Sequence, residues 1–178
     1  MPLRFLFVCY ENICRSPMAE GVFAHLVASA GAGALFEVES AGTVCYQSGS
    51  CPDERAIRAA GRHGIDISSI RARCIHDLDL EQFDRIFVMD FENHRDLHDA
   101  LEGRPVSLHM MTEFATSEAG AEIEDPYYGD EAGFDRTLLR LMESATGILA
   151  AMRVECGFPD QESISASAID GQDDGDER

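Results

Sequence analysis

Apolar residues along this chain follow two rhythms, and the rhythm changes repeatedly. Leu3 to Cys9 is a short apolar run rich in Phe and Val, the pattern of a strand buried on both faces. Polar residues follow, and Ser16-Pro17 opens a segment in which Val22, Phe23, Leu26 and Val27 recur at helical spacing until the Gly31-Ala32-Gly33 stop. Phe36 to Glu39 alternates and predicts a second strand, followed by a Gly- and Ser-containing loop from Ala41 to Cys51. Residues 53–63 predict a helix capped by Asp53 and closed by Gly64. Arg85 to Met89 is a third strand, Glu92 to Leu101 a polar helix ending at Gly103, and Val106 to Leu108 a final strand. Beyond the Asp125-Pro126 turn, Phe134, Leu138, Leu141, Ala145, Ile148, Leu149 and Met152 mark a long amphipathic helix.

Strands alternating with helices predict an α/β domain, with right-handed crossovers and a parallel sheet covered on both faces. Ligands of such sheets bind beyond the carboxyl ends of the strands, which is where Cys9 falls. A chain of 178 residues fits one domain. We place that domain at residues 1–158. Residues 159–178 carry Asp160, Glu162, Asp170, Asp173, Asp174, Asp176 and Glu177 against one arginine, and predict a disordered acidic tail.

Charge narrows the partners. Fourteen basic against thirty-three acidic side chains give a formal charge of −19, which repels nucleic acid and anionic membranes. No apolar run approaches the roughly 20 residues that cross a bilayer, and the N-terminus lacks the shape of a signal peptide, so a cytoplasmic location without membrane insertion is expected. The six cysteines suit that compartment if mostly reduced, and their spacing suggests neither a zinc site nor a secreted disulfide framework.

The candidate chemistry sits between the first strand and the first helix. Five residues separate Cys9 from Arg15, enough for a turn whose amides face inward beside the free N–H groups of the helix. Such a phosphate-binding loop, with the backbone of Tyr10, Glu11, Asn12, Ile13 and Cys14 leading to Arg15 and Ser16, favours the thiolate of Cys9. Arg15 adds a fixed charge and a fork that fits two phosphoryl oxygens. Ser16, at the expected helix cap, is placed to bond the sulfur or hold the loop. Asn12 suits the left-handed backbone that a tightly curled loop requires. Asp125, in I-E-D-P-Y-Y-G, is the candidate proton donor. Tyr127 and Tyr128 are candidates for one wall of a slot for an aromatic ring, with Tyr46 opposite.

The run V-C-Y-E-N-I-C-R-S-P strongly resembles the signature of the low-molecular-weight protein tyrosine phosphatases. The resemblance continues in S-A-G-T at Ser40 to Thr43, P-D-x-R at Pro52 to Arg55, H-G-I-D at His63 to Asp66, R-A-R at Arg71 to Arg73, F-D-x-I-x-x-M-D at Phe83 to Asp90 and D-P-Y-Y-G at Asp125 to Gly129. It implies a four-stranded sheet and hydrolysis of phosphotyrosine through a cysteinyl phosphate, with Cys9 as nucleophile, Arg15 as clamp and Asp125 as acid. No metal or cofactor is implied. It also implies a phosphotyrosine protein as substrate, a tyrosine kinase among the partners, rim positions for Tyr46 and the Tyr127-Tyr128 pair, loop support from Ser16 and from Ser40 acting on Asn12, and a reversible disulfide between Cys9 and Cys14.

Two positions depart from the family pattern. Glu11 stands where the family has glycine, at a cost of about 1–2 kcal/mol if the backbone there has positive φ. Ile70 stands where the family has a histidine that supports the asparagine, so one support of the loop is missing or replaced. His63 reads as a surface helix residue rather than a substitute. These departures motivate one alternative, a weakly active or inactive phosphotyrosine-binding module. A thiol-dependent arsenate reductase is another, but its relay needs a close cysteine pair, and by sequence Cys74 has no near neighbour; Cys45, Cys51 and Cys156 also receive no role.

Overall fold

The first strand, β1 (Leu3–Cys9), lies at the centre of the sheet. In the computed structural model, which describes residues 1–101 and 103–158, its neighbours are β2 (Phe36–Gly42) on one side and β3 (Arg85–Val88) on the other, with β4 (Ser107–Met110) outside β3. All pairings are parallel, which gives the four-stranded parallel sheet that the sequence led us to expect. Alternation along β1 divides its side chains between two cores. Phe5 and Phe7 face α1 (Arg15–Ser29) and α4 (Glu131–Cys156), where Phe23, Phe36 and Phe87 surround Phe5 at ring separations of 5.3–5.4 Å. Leu6 and Val8 face the other core, with Leu97 and Leu101 of α3 (Phe91–Leu101). Burial on both faces explains why β1 is almost continuously apolar.

Local chemistry sets most boundaries. Asp53 caps α2 (Glu54–Gly61) by accepting from the Arg55 amide, and Asp130 caps α4 by accepting from the Gly133 amide at 2.9 Å. Gly157 ends α4 in the left-handed conformation.

Other boundaries differ from the sequence reading. Strand β2 continues beyond Glu39 to Gly42, because Ser40, Ala41 and Gly42 remain paired with Phe7, Val8 and Cys9. Strand β4 is Ser107–Met110, placed by its pairing with β3. Helix α1 starts at Arg15, so Ser16 lies in its first turn and is not its cap. Short 3-10 turns at Gly33–Leu35, Ile75–Asp77 and Leu80–Gln82 escaped the hydrophobic pattern, being too short for either rhythm. His63 is exposed just beyond α2. The acidic tail, residues 159–178, lies outside the described residues. Among the described residues, no helix is long and apolar enough to cross a membrane.

The cysteines bring a correction. Cys45 and Cys74 form a disulfide, with Cα atoms 4.9 Å apart, so Cys74 does have a near neighbour, while Cys9, Cys14, Cys51 and Cys156 are free thiols. Twenty-nine residues separate the two, but a parallel bridge sets Cys74 against Gly42. That pairing brings Cys74 beside the loop that follows β2. Sequence spacing cannot reveal it.

Candidate active site

Beyond Cys9 the chain turns through residues 10–14 before entering α1, and three backbone bonds hold this loop from outside. The carbonyl of Cys9 accepts from the Thr43 amide (2.9 Å), that of Tyr10 from the Val44 amide (3.1 Å), and that of Ile13 from the Asp53 amide (2.8 Å). Residues 43–53 thus form a strap along the outer edge of the loop. A peptide plane whose carbonyl is held outward turns its N–H toward the opposite side. Among the described residues no acceptor takes the amides of residues 10–15, which leaves a run of free donors at the N-terminus of α1, the arrangement that binds an anion.

Asn12 fixes the curl. Its φ is +60°, the left-handed conformation expected for it, and its fully buried side chain is satisfied in every direction. The amide nitrogen donates to Ser16 Oγ and Ser40 Oγ at 2.8 Å each, and Oδ1 accepts from the Arg73 amide at 2.8 Å. The support expected from Ser40 is present. Ile70 packs against the core, and the third contact of Asn12 comes from the backbone of Arg73, whose guanidinium also donates to the Ser40 carbonyl (3.2 Å) and pairs with Glu39 (2.8 Å). Ser40 Oγ in turn donates to Glu20 at 2.5 Å. Burial, the largest influence, raises the affinity of the Glu20 carboxyl for its proton; the Ser40 hydrogen bond and Arg73 act the other way, and Glu39 adds to the rise.

Glu11 resolves differently from its feared cost. Among the described residues the non-glycine positions with positive φ are Asn12 and Glu118, so Glu11 does not occupy a strained backbone. The strain that a glycine would relieve falls one residue later.

Cys9 is 3% exposed, with Sγ 3.0 Å from Ser16 Oγ. The Ser16 hydroxyl accepts from Asn12 and has one proton to give, either to Cys9 or to the Ala41 carbonyl at 3.2 Å. Ser16 therefore ties the sulfur to the asparagine that shapes the loop. Cys14 is also a free, buried thiol. Burial first, then Cys9, Asp53 and Asp125, hold its pKa far above the ordinary thiol range, so at neutral pH it stays protonated.

The guanidinium of Arg15 is buried and shared. Nη1 donates to Asp90 (2.7 Å) and to the Ile123 carbonyl (3.0 Å), while Nη2 donates to Asp125 (2.8 Å). Burial pulls the pKa of Arg15 down, but Cys9, Asp125 and Asp90 outweigh it and raise the net value. Nε is buried with no partner among the described residues. Asp125 uses its second oxygen to accept from the Tyr127 amide at 3.1 Å, so it also caps its own turn. Asp90 went unrecognised in the sequence, although it closes the F-D-x-I-x-x-M-D string. A carboxylate directly after the third strand, at the carboxyl edge of the sheet, was the available signal.

Beside the loop lies a pocket of about 130 Å³ lined by Cys9, Tyr10, Glu11, Ile13, Cys14, Asp125, Tyr127 and Tyr128. A larger cleft of about 460 Å³ lies across the 122–129 segment, but it lacks the thiol. Tyr127 and Tyr128 meet edge to face at 5.1 Å, and Arg55 lies over the Tyr127 ring at 5.6 Å. Tyr10, counted in the sequence only for its backbone, presents a side chain that is 40% exposed at the mouth. Burial first, then Tyr46, Glu11, Glu92 and Tyr128, raise its pKa. Three of the four tyrosines of the chain thus line one mouth, and the exposed Tyr46 is not part of its lining. No cluster of metal-ligating side chains occurs among the described residues.

An α/β sheet with a thiol, a guanidinium and a carboxylate converging over an anion-binding loop defines a class of cysteine-dependent phosphate-handling proteins. The model of the family described as "Low molecular weight phosphotyrosine protein phosphatase" matches residues 4–156. The low molecular weight phosphotyrosine protein phosphatase of Schizosaccharomyces pombe is 34% identical over 152 residues, 84% of this chain and 97% of that protein. The Homo sapiens protein of the same name is 38% identical over 133 residues, 73% of this chain and 83% of that one. The crystal structure of a protein tyrosine phosphatase from Entamoeba histolytica, with Hepes in its active site, superposes with a TM-score of 0.79 at 33% identity, covering 87% of this chain and 98% of the other. This chain belongs to the low molecular weight phosphotyrosine protein phosphatase family.

Proposed function

We propose that this protein is a phosphatase that hydrolyses phosphotyrosine and aryl phosphates in two steps. The Cys9 thiolate attacks phosphorus in line, the amides of residues 10–15 and Arg15 hold the equatorial oxygens, and Asp125 protonates the departing phenolate. Water, deprotonated by the same carboxylate, then attacks the cysteinyl phosphate and releases inorganic phosphate. The aromatic mouth formed by Tyr10, Tyr127 and Tyr128 receives the ring of a phosphotyrosyl protein. We keep a tyrosine kinase among the partners and the cytoplasm as the setting within this proposal.

One observation carries the reading: Arg15 reaches from the base of the loop to Asp125 at 2.8 Å while its Nε stays buried without a partner. A phosphoryl group entering over Cys9 takes Nε and Nη2 as a bidentate pair and frees Asp125 to face the leaving oxygen. The family match does not favour the arsenate reductase alternative. The test is turnover of p-nitrophenyl phosphate and of a phosphotyrosyl peptide. Cys9→Ser abolishes both and Asp125→Ala slows both; an unchanged rate in the Cys9→Ser protein would overturn the mechanism.

A further inference from the structure

We propose that the Cys45–Cys74 disulfide positions the phosphate loop, so that reducing it weakens phosphate binding without any change at Cys9. The two sulfurs join the two segments that hold the loop in shape. Cys45 follows directly after Thr43 and Val44, whose amides hold the carbonyls of Cys9 and Tyr10. Cys74 follows directly after Arg73, whose amide holds Asn12 Oδ1 and whose guanidinium holds the Ser40 carbonyl.

Between the crosslink and the loop the two segments form a small ladder. Gly42 donates to the Arg73 carbonyl (2.8 Å), Gly49 to the Ala72 carbonyl (2.8 Å), and Ala72 to the Ser50 carbonyl (2.9 Å). The middle of the strap is poor in packing, while Thr43 and Pro52 near its ends are buried. Cys45, Tyr46, Ser48, Gly49 and Cys51 are exposed, and residues 45–50 form no helix or strand. Hydrogen bonds at an exposed edge open easily, and a covalent link that limits the excursion of both segments keeps them closed. Ile70 makes no polar contact with Asn12, so Arg73 carries that duty, and the disulfide holds the residue next to Arg73.

Access to the crosslink is one-sided: Cys74 is fully buried and Cys45 is exposed. A dithiol reductant attacks Cys45 Sγ, the S–S bond breaks, and Cys74 leaves as a thiolate that takes up a proton. The second thiol of the reductant then displaces Cys45 and closes the reductant's own disulfide. In reverse, the two thiols lose two electrons and two protons to a disulfide oxidant such as glutathione disulfide, which becomes two glutathione thiols.

The inference rests on the reading of residues 9–15 as a phosphate site, and the experiment separates the two. Inorganic phosphate is titrated calorimetrically into the Cys9→Ser protein, which lacks the sulfur of the proposed nucleophile, in its oxidised form and after dithiothreitol. The oxidised form binds phosphate, and reduction weakens binding by about three- to tenfold, the scale expected for a sub-ångström misplacement of a binding loop. Hydrogen exchange of the Thr43, Val44 and Arg73 amides accelerates on reduction while the amides of β1 do not change. Cys9→Ser/Cys45→Ser/Cys74→Ser protein binds weakly and ignores dithiothreitol; if it does not fold, the comparison of the two redox forms decides alone. Equal phosphate affinity in both forms, or alkylation of both Cys45 and Cys74 in protein purified without reductant, overturns the proposal. Absence of phosphate binding to the oxidised form removes the phosphate-site reading and this inference with it.

Discussion

Nη2 of Arg15 donates to Oδ2 of Asp125 at 2.8 Å, joining a side chain that is 3% exposed to one that is 41% exposed. The proposed proton donor thus holds the cation that the phosphoryl group needs. Asp125→Asn should lower kcat for aryl phosphates by about 10²–10⁴-fold, the range of a lost general acid. The same change removes a carboxylate that competes for Arg15, so inorganic phosphate should inhibit the variant more strongly than the parent. Steady-state rates with phosphate as competitive inhibitor measure both effects.

Asp90 serves Arg15 and α3 together, with Oδ2 on the guanidinium and Oδ1 accepting from the Asn93 amide at 2.7 Å. Asp90→Ala should therefore destabilise the fold by about 1 kcal/mol through the lost cap. It should also raise KM for aryl phosphate by about tenfold, because Arg15 loses a charged hydrogen bond worth about 1.5–3 kcal/mol. Asp90→Asn keeps the cap and should recover stability more fully than KM. Urea denaturation and Michaelis kinetics on the two variants separate these roles.

Gly42 lies directly beneath the phosphate loop. A Cβ there would meet the Tyr10 carbonyl oxygen at 2.7 Å and the Glu11 carbonyl carbon at 2.9 Å, both backbone atoms that cannot step aside alone. Gly42→Ala should push the loop outward and weaken phosphate inhibition. Gly61 near the end of α2 has nothing within 4 Å of such an atom, so Gly61→Ala should be neutral or stabilising by up to about 1 kcal/mol, with phosphate inhibition intact.

Glu20 gives the fold a pH dependence. Burial leads the causes that raise its folded pKa, so the native state holds this proton more tightly than the unfolded chain does. Its contribution to stability is complete below the ordinary carboxylate pKa and is lost as pH rises through the higher folded value. Relative to Glu20→Gln, the parent protein should lose stability as pH rises above the ordinary carboxylate pKa of about 4 and through the raised folded value. Denaturant midpoints of the two proteins across that window test the sign; a parent that gains on the variant as pH rises contradicts it.

Glu11 lines the pocket without an ion pair among the described residues, and the lining contains no basic side chain. Phosphotyrosyl peptides with arginine or lysine beside the tyrosine should be turned over about three- to tenfold faster, in kcat/KM, than those with acidic neighbours. Glu11→Gln should narrow the ratio, and so should salt above the physiological range. A ratio that ignores both would show that Glu11 does not select substrates.

Much of this site was legible because it is local. Cys9, Asn12, Arg15 and Ser16 lie within eight residues of one strand, loop and helix. Loop geometry requires a left-handed residue, and asparagine is the one that tolerates it. Asp125 was found through the resemblance of D-P-Y-Y-G to the family's acid loop, not through any relation to Arg15, which stands 110 residues away. The role of Tyr10 was half seen, because its backbone position follows from the loop while the direction of its side chain depends on what packs around the mouth.

By itself the sequence determined the alternation of strands and helices, the parallel sheet, the loop after β1 and the chemistry of its residues, since those depend on periodicity, caps and neighbours a few positions apart. Only the tertiary structure decided that Asp90 and Asp125 share Arg15, that Arg73 takes up the support of Asn12, and that Cys45 meets Cys74. These contacts cross between separate elements. They exist because parallel crossovers bring the carboxyl ends of β1, β2 and β3 to one edge, and no spacing along the chain encodes which side chains meet there.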